Sequence, residues 1–234
     1  MTATAAAPGR ARRGTDRAYD VARAALECFS SGGYRLTQIA HVAARLGVSV
    51  GTIYRYVDSK EALFHLAVLE TLGRVADAQP SPLAVRGLED TVALLHREIA
   101  RKGFWPVLTK AARGPAPSDL RGEAETIGGE LYDAISANAR IIRLLDRCGH
   151  EAPELAEVFD DEVRYPLMAD LVAWVVRRGH APERSRTEAE ALARGAMEAV
   201  AWLAKNRPAD PTAAAITDEQ ARRAAVRIFA SAFA

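Results

Sequence analysis

From Asp16 onward, apolar residues recur at helical spacing. Val21, Ala25 and Phe29, with Ala22 and Leu26 beside them, form one stripe that ends at Ser30-Ser31-Gly32-Gly33, which predicts a first helix. Thr37 stands at an N-cap position before Gln38–Leu46, where Ile39, Ala43 and Leu46 share a face and Gly47 stops the run, predicting a short second helix. Ser49 is placed to cap a third helix running to about Tyr56. Asp58-Ser59-Lys60-Glu61 caps a fourth, which carries Leu63, Phe64, Ala67, Val68 and Leu72.

Beyond Gly73 the chain reads as further helices between turn clusters: Gln79-Pro80-Ser81-Pro82, Gly114 to Ser118, Cys148 to Pro153, Gly179 to Pro182 and Asn206 to Pro211. No alternating pattern persists long enough for a strand, so the expected class is all-α. The opening MTATAAAPGRARRGT has no apolar periodicity and reads as a disordered basic arm over residues 1–15. The expected organisation is then that arm, a helix-turn-helix domain over 16–62, and a larger helical domain over 63–234.

Composition adds charge asymmetry. The 234 residues carry a net charge of only +1, yet residues 1–60 hold nine Lys/Arg against four acids, leaving −4 for the remainder. Positive potential gathered at one end suits a polyanionic partner. Cys28 and Cys148 form no C-x-x-C pair, which disfavours a thiol metal or redox site and fits a reducing compartment. No signal-peptide-like or membrane-length apolar run occurs, so a cytoplasmic protein without membrane association is expected.

One stretch carries two opposed readings. Gly47-Val48-Ser49-Val50-Gly51 matches the G-x-S-x-G elbow of serine hydrolases, but that elbow follows a buried strand, and here the preceding residues keep a 3.6-residue period. A catalytic Ser49 is therefore rejected. The five histidines form no H-E-x-x-H or other pair four apart, so neither a metal site nor a cofactor is expected, and the chain is not read as an enzyme.

The other reading is a turn followed by a DNA-reading helix. With Ile53 pointing inward, Val57 falls about 40° away, while Gly51, Arg55 and Thr52 lie at about 160°, 200° and 260°. Those three face outward, flanked by Val50, Tyr54 and Tyr56. Arg can bond guanine bidentately, the Thr methyl can meet a thymine methyl, and Gly51 lets backbone approach a groove. Tyr54, Tyr56, Lys60 and the N-terminus of the second helix at Thr37 can donate to phosphates. Singly, each also admits a plainer role as cap, packing residue or solvated charge.

The span from about Tyr19 to Leu72, above all LTQIAHVAARLGVSVGTIYRYVDSKEALF, resembles the DNA-binding domain of the tetracycline-repressor (TetR) family. It shares the Gly-aromatic turn (Gly33-Tyr34), Ile39-Ala40, G-V-S-x-G-T-I-Y-x-Y at Gly47–Tyr56, and S-K-E-x-L at Ser59–Leu63. Val57 departs from it, replacing a more usual Phe. The resemblance implies phosphate contacts from Thr37, Tyr54 and Lys60, and base or groove contacts from Val50, Gly51, Thr52, Arg55 and Tyr56.

For the larger part the resemblance implies a domain that receives a ligand and dimerises. Leu131, Ile135, Asn138, Ile142 and Leu145 place one polar residue on the apolar face of a long helix, and Trp105, Asn138, Ile142, Phe159, Tyr165, Met168 and Trp174 are the expected lining of a largely apolar effector pocket. Pro166 should start or kink a helix. Glu188–Leu203 reads as apolar on nearly all sides, which would give a homodimer interface through 187–205 and 218–233. The expected function is a transcriptional repressor, bound as a homodimer to an inverted-repeat operator in double-stranded DNA and released by a small-molecule effector. The alternative is a dimeric DNA-binding regulator with no small ligand, constitutive or controlled by a protein partner.

Overall fold

The computed structural model describes residues 8–78, 81–179 and 186–233. Among these residues the regular structure is helical. An isolated bridge between Val57 and Leu83 is the only strand-like pairing described.

Helix α1 runs from Pro8 to Leu36. Its first turns take in residues 8–15, which were expected in a disordered arm; residues 1–7 of that arm lie outside the described residues. Proline suits a first helical position, where its missing N–H is unneeded, and the following Ala and Arg residues favour helix. Near the far end, Gly33 breaks the helical conformation at φ 81° and ψ 178°. Only glycine adopts that geometry without strain. Space also requires it, since a Cβ there would lie 2.6 Å from Arg147 Nη1 and 2.7 Å from Glu151 Oε1.

The next elements are α2 (Ile39–Leu46), α3 (Val50–Ile53) and α4 (Lys60–Thr71). Gln38, not Thr37, is the N-cap of α2. Thr37 is only 2% exposed. Its hydroxyl donates to the Gly33 carbonyl at 2.7 Å, with the Cys28 carbonyl 3.1 Å away, so it closes the α1 kink instead of facing out.

The chain continues through α5 (Leu88–Ala100), α6 (Pro106–Arg113), α7 (Leu120–Ala137), α8 (Ala139–Gly149) and α9 (Pro153–Phe159). A π-helical turn at Asp160–Arg164 leads into α10 (Tyr165–Arg177), with Pro166 in its first turn as its missing N–H allows. Helices α11 (Arg186–Ala201) and α12 (Asp218–Ala232) complete it.

Two compact units result, one joining residues up to Leu95 with Arg143–Glu157, the other joining His96–Ile142 with Val158 onward. The expected boundary at 62/63 therefore cuts through α4. That helix buries Ala62, Leu63, Phe64, Leu66, Ala67, Val68 and Leu69, and packs on α1, so it belongs with the first unit. Phe29, Tyr34 and Phe64 form an aromatic triad there, with ring centroids 5.0–6.0 Å apart.

The contribution of residues 143–157 to this unit is not visible as periodicity. Arg147 Nη2 donates to the Gly32 carbonyl at 2.9 Å, and Glu151 Oε2 accepts the Arg35 backbone N–H at 2.6 Å. Together they satisfy backbone groups where α1 is broken. That amide and the Arg147 guanidinium hold the Glu151 carboxyl below its usual range. Cys148 is buried with its Sγ 3.7 Å from the Phe29 carbonyl, and burial pushes its thiol pKa up to about 12. It is a small core residue, as expected.

In the second unit, Trp174 stacks on Phe229 and meets Phe233 edge-on, with ring centroids 5.9 and 4.9 Å away. Below this cluster, Arg178, its side chain 1% exposed, binds Glu123 through Nε and Nη2 at 2.7 and 2.9 Å. It also donates to the carbonyls of Gly114 and Ala111, while Trp174 Nε1 donates to Glu123 at 2.9 Å. One ion pair thus fastens α6, α7 and α10. A buried pair with its remaining polar atoms satisfied is costly to break from one side.

The expectation for Glu188–Leu203 needs correction. Ala189, Ala193, Ala196, Met197 and Val200 face the core, but the outer side of α11 carries Glu190, Arg194 and Glu198. Alanines had masked an amphipathic helix with a charged stripe. Large apolar groups are nonetheless exposed next to it at Trp202 and on α12 at Ile228.

Candidate nucleic-acid interface

The loop between α2 and α3 is built by two small residues. Gly47 takes a left-handed conformation (φ 64°, ψ 33°) and its N–H closes α2, while Ser49 Oγ accepts the Thr52 N–H at 3.3 Å and lies 3.0 Å from Thr52 Oγ1. Ser49 is an N-cap with its side chain committed to the backbone, a poor arrangement for a nucleophile. After Ile53 the backbone keeps turning: Tyr56 N–H and Val57 N–H both bond the Ile53 carbonyl, at 2.8 and 3.2 Å.

Ile53 and Val57 are fully buried, the inward stripe expected from their spacing. Val50, Gly51, Tyr54 and Arg55 are exposed, and Thr52 and Tyr56 partly so. Tyr54 stands out, 48% exposed for a large aromatic. The structure therefore leaves the six residues from Val50 to Tyr56 other than Ile53 wholly or partly open to solvent. Thr37 does not join them, because its hydroxyl is turned inward; the exposed N-terminus of α2 is at Gln38, whose N–H lies 3.3 Å from His41 Nδ1.

Lys60 is half-buried at the start of α4. Its ammonium donates to the Arg35 carbonyl at 3.0 Å and lies 4.8 Å from the Tyr34 ring centroid. An ammonium has three donors, so this bond leaves others available. Tyr34 in turn donates to Glu61 at 3.0 Å; burial first, and then the Glu61 charge, raise its pKa. Arg45 pairs with Glu27 across α1 and α2. These contacts fix the helices that carry α3.

The second unit contains an open cavity of about 700 Å³, lined by Ile99, Ala100, Lys102, Gly103, Phe104, Trp105, Pro106, Thr109, Lys110, Arg113 and Glu162. Of the seven expected pocket residues, Trp105 alone lines it. Trp174 is 0% exposed inside the aromatic cluster, and Tyr165 is 60% exposed on the surface. Asn138 is no inward-pointing anchor: it ends α7, donating to the Ala134 carbonyl at 2.7 Å and accepting from Lys102 at 3.0 Å. The expected long helix is thus two, α7 and α8. Phe159 is covered by the Arg164 guanidinium, 5.1 Å from its ring centroid, Met168 packs on the core, and Ile142 is a half-buried residue of α8.

Among the described residues, no group of three or more His, Cys, Asp or Glu could hold a metal ion, and no helix is long and apolar enough to cross a membrane.

Comparison with known proteins agrees with the interface geometry. The family described as "Bacterial regulatory proteins, tetR family" matches residues 22–67, covering the second half of α1, all of α2 and α3, and most of α4. The chain is 31% identical over 173 residues to the HTH-type transcriptional repressor KstR of Mycolicibacterium smegmatis, spanning 70% of this chain and 78% of that protein. It is 32% identical over 165 residues to KstR of Mycobacterium tuberculosis, spanning 67% and 70%, and 27% identical over 169 residues to KstR of Rhodococcus jostii, spanning 68% and 73%. Among solved structures, a TetR-family protein from Mesorhizobium loti aligns over 94% of this chain and 96% of its own with a TM-score of 0.46 and 17% identity; the relationship rests on the sequence matches instead. With its Ser49-capped α3 and relatives of which it covers more than two thirds, the chain belongs to the TetR family of DNA-binding transcriptional regulators and is not an enzyme.

Proposed function

We propose that this protein is a repressor that binds an inverted-repeat operator as a homodimer and is released by a small effector. The observation that carries the DNA reading is the outward surface of the α3 turn: Arg55, Thr52 and Gly51 point away from buried Ile53 and Val57. Val50, Gly51, Thr52, Arg55 and Tyr56 are assigned to bases or groove walls, and Tyr54 and Lys60 to phosphates. Thr37 is withdrawn from that set, its hydroxyl being bonded to the Gly33 carbonyl. The repressor sense follows the names of the KstR relatives.

Dimerisation is assigned to 187–205 and 218–233, where Trp202 and Ile228 are exposed beside the charged stripe of α11. A two-fold protein requires two-fold-related half-sites. Selection from random DNA should return a palindrome. A single asymmetric half-site, with a monomer at working concentration, would overturn this.

The effector is assigned to the cavity of the second unit, whose volume is that of ordinary small-molecule sites. Phe104 and Trp105 stack there at 5.7 Å and offer an apolar wall. Lys102, Lys110 and Arg113 outnumber Glu162 in the lining; Glu162 is paired with His96, and Arg113 lies 4.0 Å from Asp170. An organic anion with a flat apolar body fits that lining better than a purely apolar molecule. Naphthoate should raise the melting temperature more than naphthalene carboxamide, and Lys110→Glu should abolish the difference; equal effects of both compounds would sink the assignment.

A further inference from the structure

Helix α3 is a single turn whose own carbonyls are bonded by the residues that follow it, but the carbonyls of Arg55 and Tyr56, just beyond it, are bonded by a segment distant in sequence. Ser81 Oγ donates to the Arg55 carbonyl at 2.8 Å, and the Leu83 N–H donates to the Tyr56 carbonyl at 2.7 Å. The Leu83 carbonyl then accepts the Asp58 N–H at 3.1 Å. These bonds form the one bridge in the described chain, between Leu83 and the fully buried Val57.

We infer that Ser81–Leu83 is a strap that sets the orientation of the recognition turn, making Ser81 a positioning residue for base discrimination by Arg55. The inference rests on the reading of α3 as the DNA-contacting element. Its physical basis is geometric. The buried side chains of Ile53 and Val57 anchor the turn from inside the unit. The strap adds a second attachment, on the backbone of Arg55 and Tyr56, whose side chains are exposed and partly exposed. Base readout by a bidentate guanidinium is directional, whereas attraction to phosphates tolerates a pivot of a few degrees. Loosening the strap should therefore reduce discrimination more than overall attraction. Ser81 is exposed and its hydroxyl makes no core contact, so removing it leaves the fold of the unit in place.

The test is a double-mutant cycle on full-length protein, read as the ratio of operator to non-operator affinity at fixed salt. Ser81→Ala should lower that ratio about threefold to tenfold, the range for losing one hydrogen bond. Non-operator affinity should be unchanged, and Ser81→Thr should restore the ratio. In an Arg55→Ala background, Ser81→Ala should have no further effect, because the strap acts through Arg55. If Arg55→Ala weakens operator binding but Ser81→Ala does not, or if Ser81→Ala weakens both DNAs in equal proportion, the strap is only a cap and the inference fails. If Arg55→Ala leaves the ratio unchanged, the DNA reading of α3 itself fails, and the strap's role with it.

Discussion

The two units tie their helices together differently. In the first, helix ends and the break in α1 are held by polar side chains: Thr37 on Gly33, Ser49 on Thr52, Arg147 on Gly32, Lys60 on Arg35. In the second, helices converge on an aromatic cluster, and a buried ion pair, Arg178 with Glu123, fastens three of them. A surface that must fit a rigid external object benefits from many small local ties. A domain with an open cavity can leave its rim loose while its centre stays fixed.

The difference can be broken most forcibly at the centre of the second unit. Trp174→Ala should cost about 3–5 kcal/mol there. Hydrogen exchange should show that loss in the second unit, with protection of α1 and α4 retained; uniform loss would mean the two sets of ties are not separate. Next comes Arg55→Ala, expected to cost about 1–3 kcal/mol of operator binding at one base position without lowering the melting temperature. A profile of single-base operator variants checks it. Ser49→Ala should cost about 1 kcal/mol of stability through the lost N-cap, and so weaken operator and non-operator binding together. Chemical denaturation alongside binding separates it from Arg55→Ala.

Lys60→Ala sharpens the comparison on a smaller scale. The loss of one phosphate contact should reduce the slope of log affinity against log salt by about 0.9, for every DNA sequence alike. An unchanged slope with a lowered melting temperature would leave Lys60 only its bond to Arg35. The smallest effect concerns pH. The folded-state pKa of Glu151 is depressed, so its contribution is present above the unfolded carboxylate pKa of about 4.3 and is lost as pH falls through the folded value. Glu151→Gln should therefore differ from the parent at pH 7 and converge with it in acid, in melts that report on the first unit.

The same contrast governs what could be read from the sequence. The outer face of the α3 turn was legible because its geometry is local: Gly47 and Ser49 fix the ends of two helices, and a 100° step per residue then says that Arg55 lies opposite buried Ile53. Thr37 misled because a threonine before an apolar run can cap the helix after it or close the one before it, and only the position of Gly33 decides. In the second unit, periodicity identifies the apolar face of each helix but not which other helix covers it. Trp174 and Phe159 look alike by that measure, yet one is core and the other lies under a guanidinium. Asn138 looked like a polar anchor on a long helix, whereas its amide ends one helix and begins the separation from the next. Ser81 carried no signal at all, since its partner, Arg55, lies 26 residues earlier.

Residues 143–157 belong to the first unit but are separated from the rest of it by the forty-seven residues of His96–Ile142. On a ribosome adding about 5–20 residues per second, the DNA-binding part must then wait a few seconds or more, with Gly32 and Arg35 unpartnered, until Arg147 and Glu151 emerge. Its maturation is thereby timed by synthesis of the segment that supplies most of the lining of the second unit's cavity.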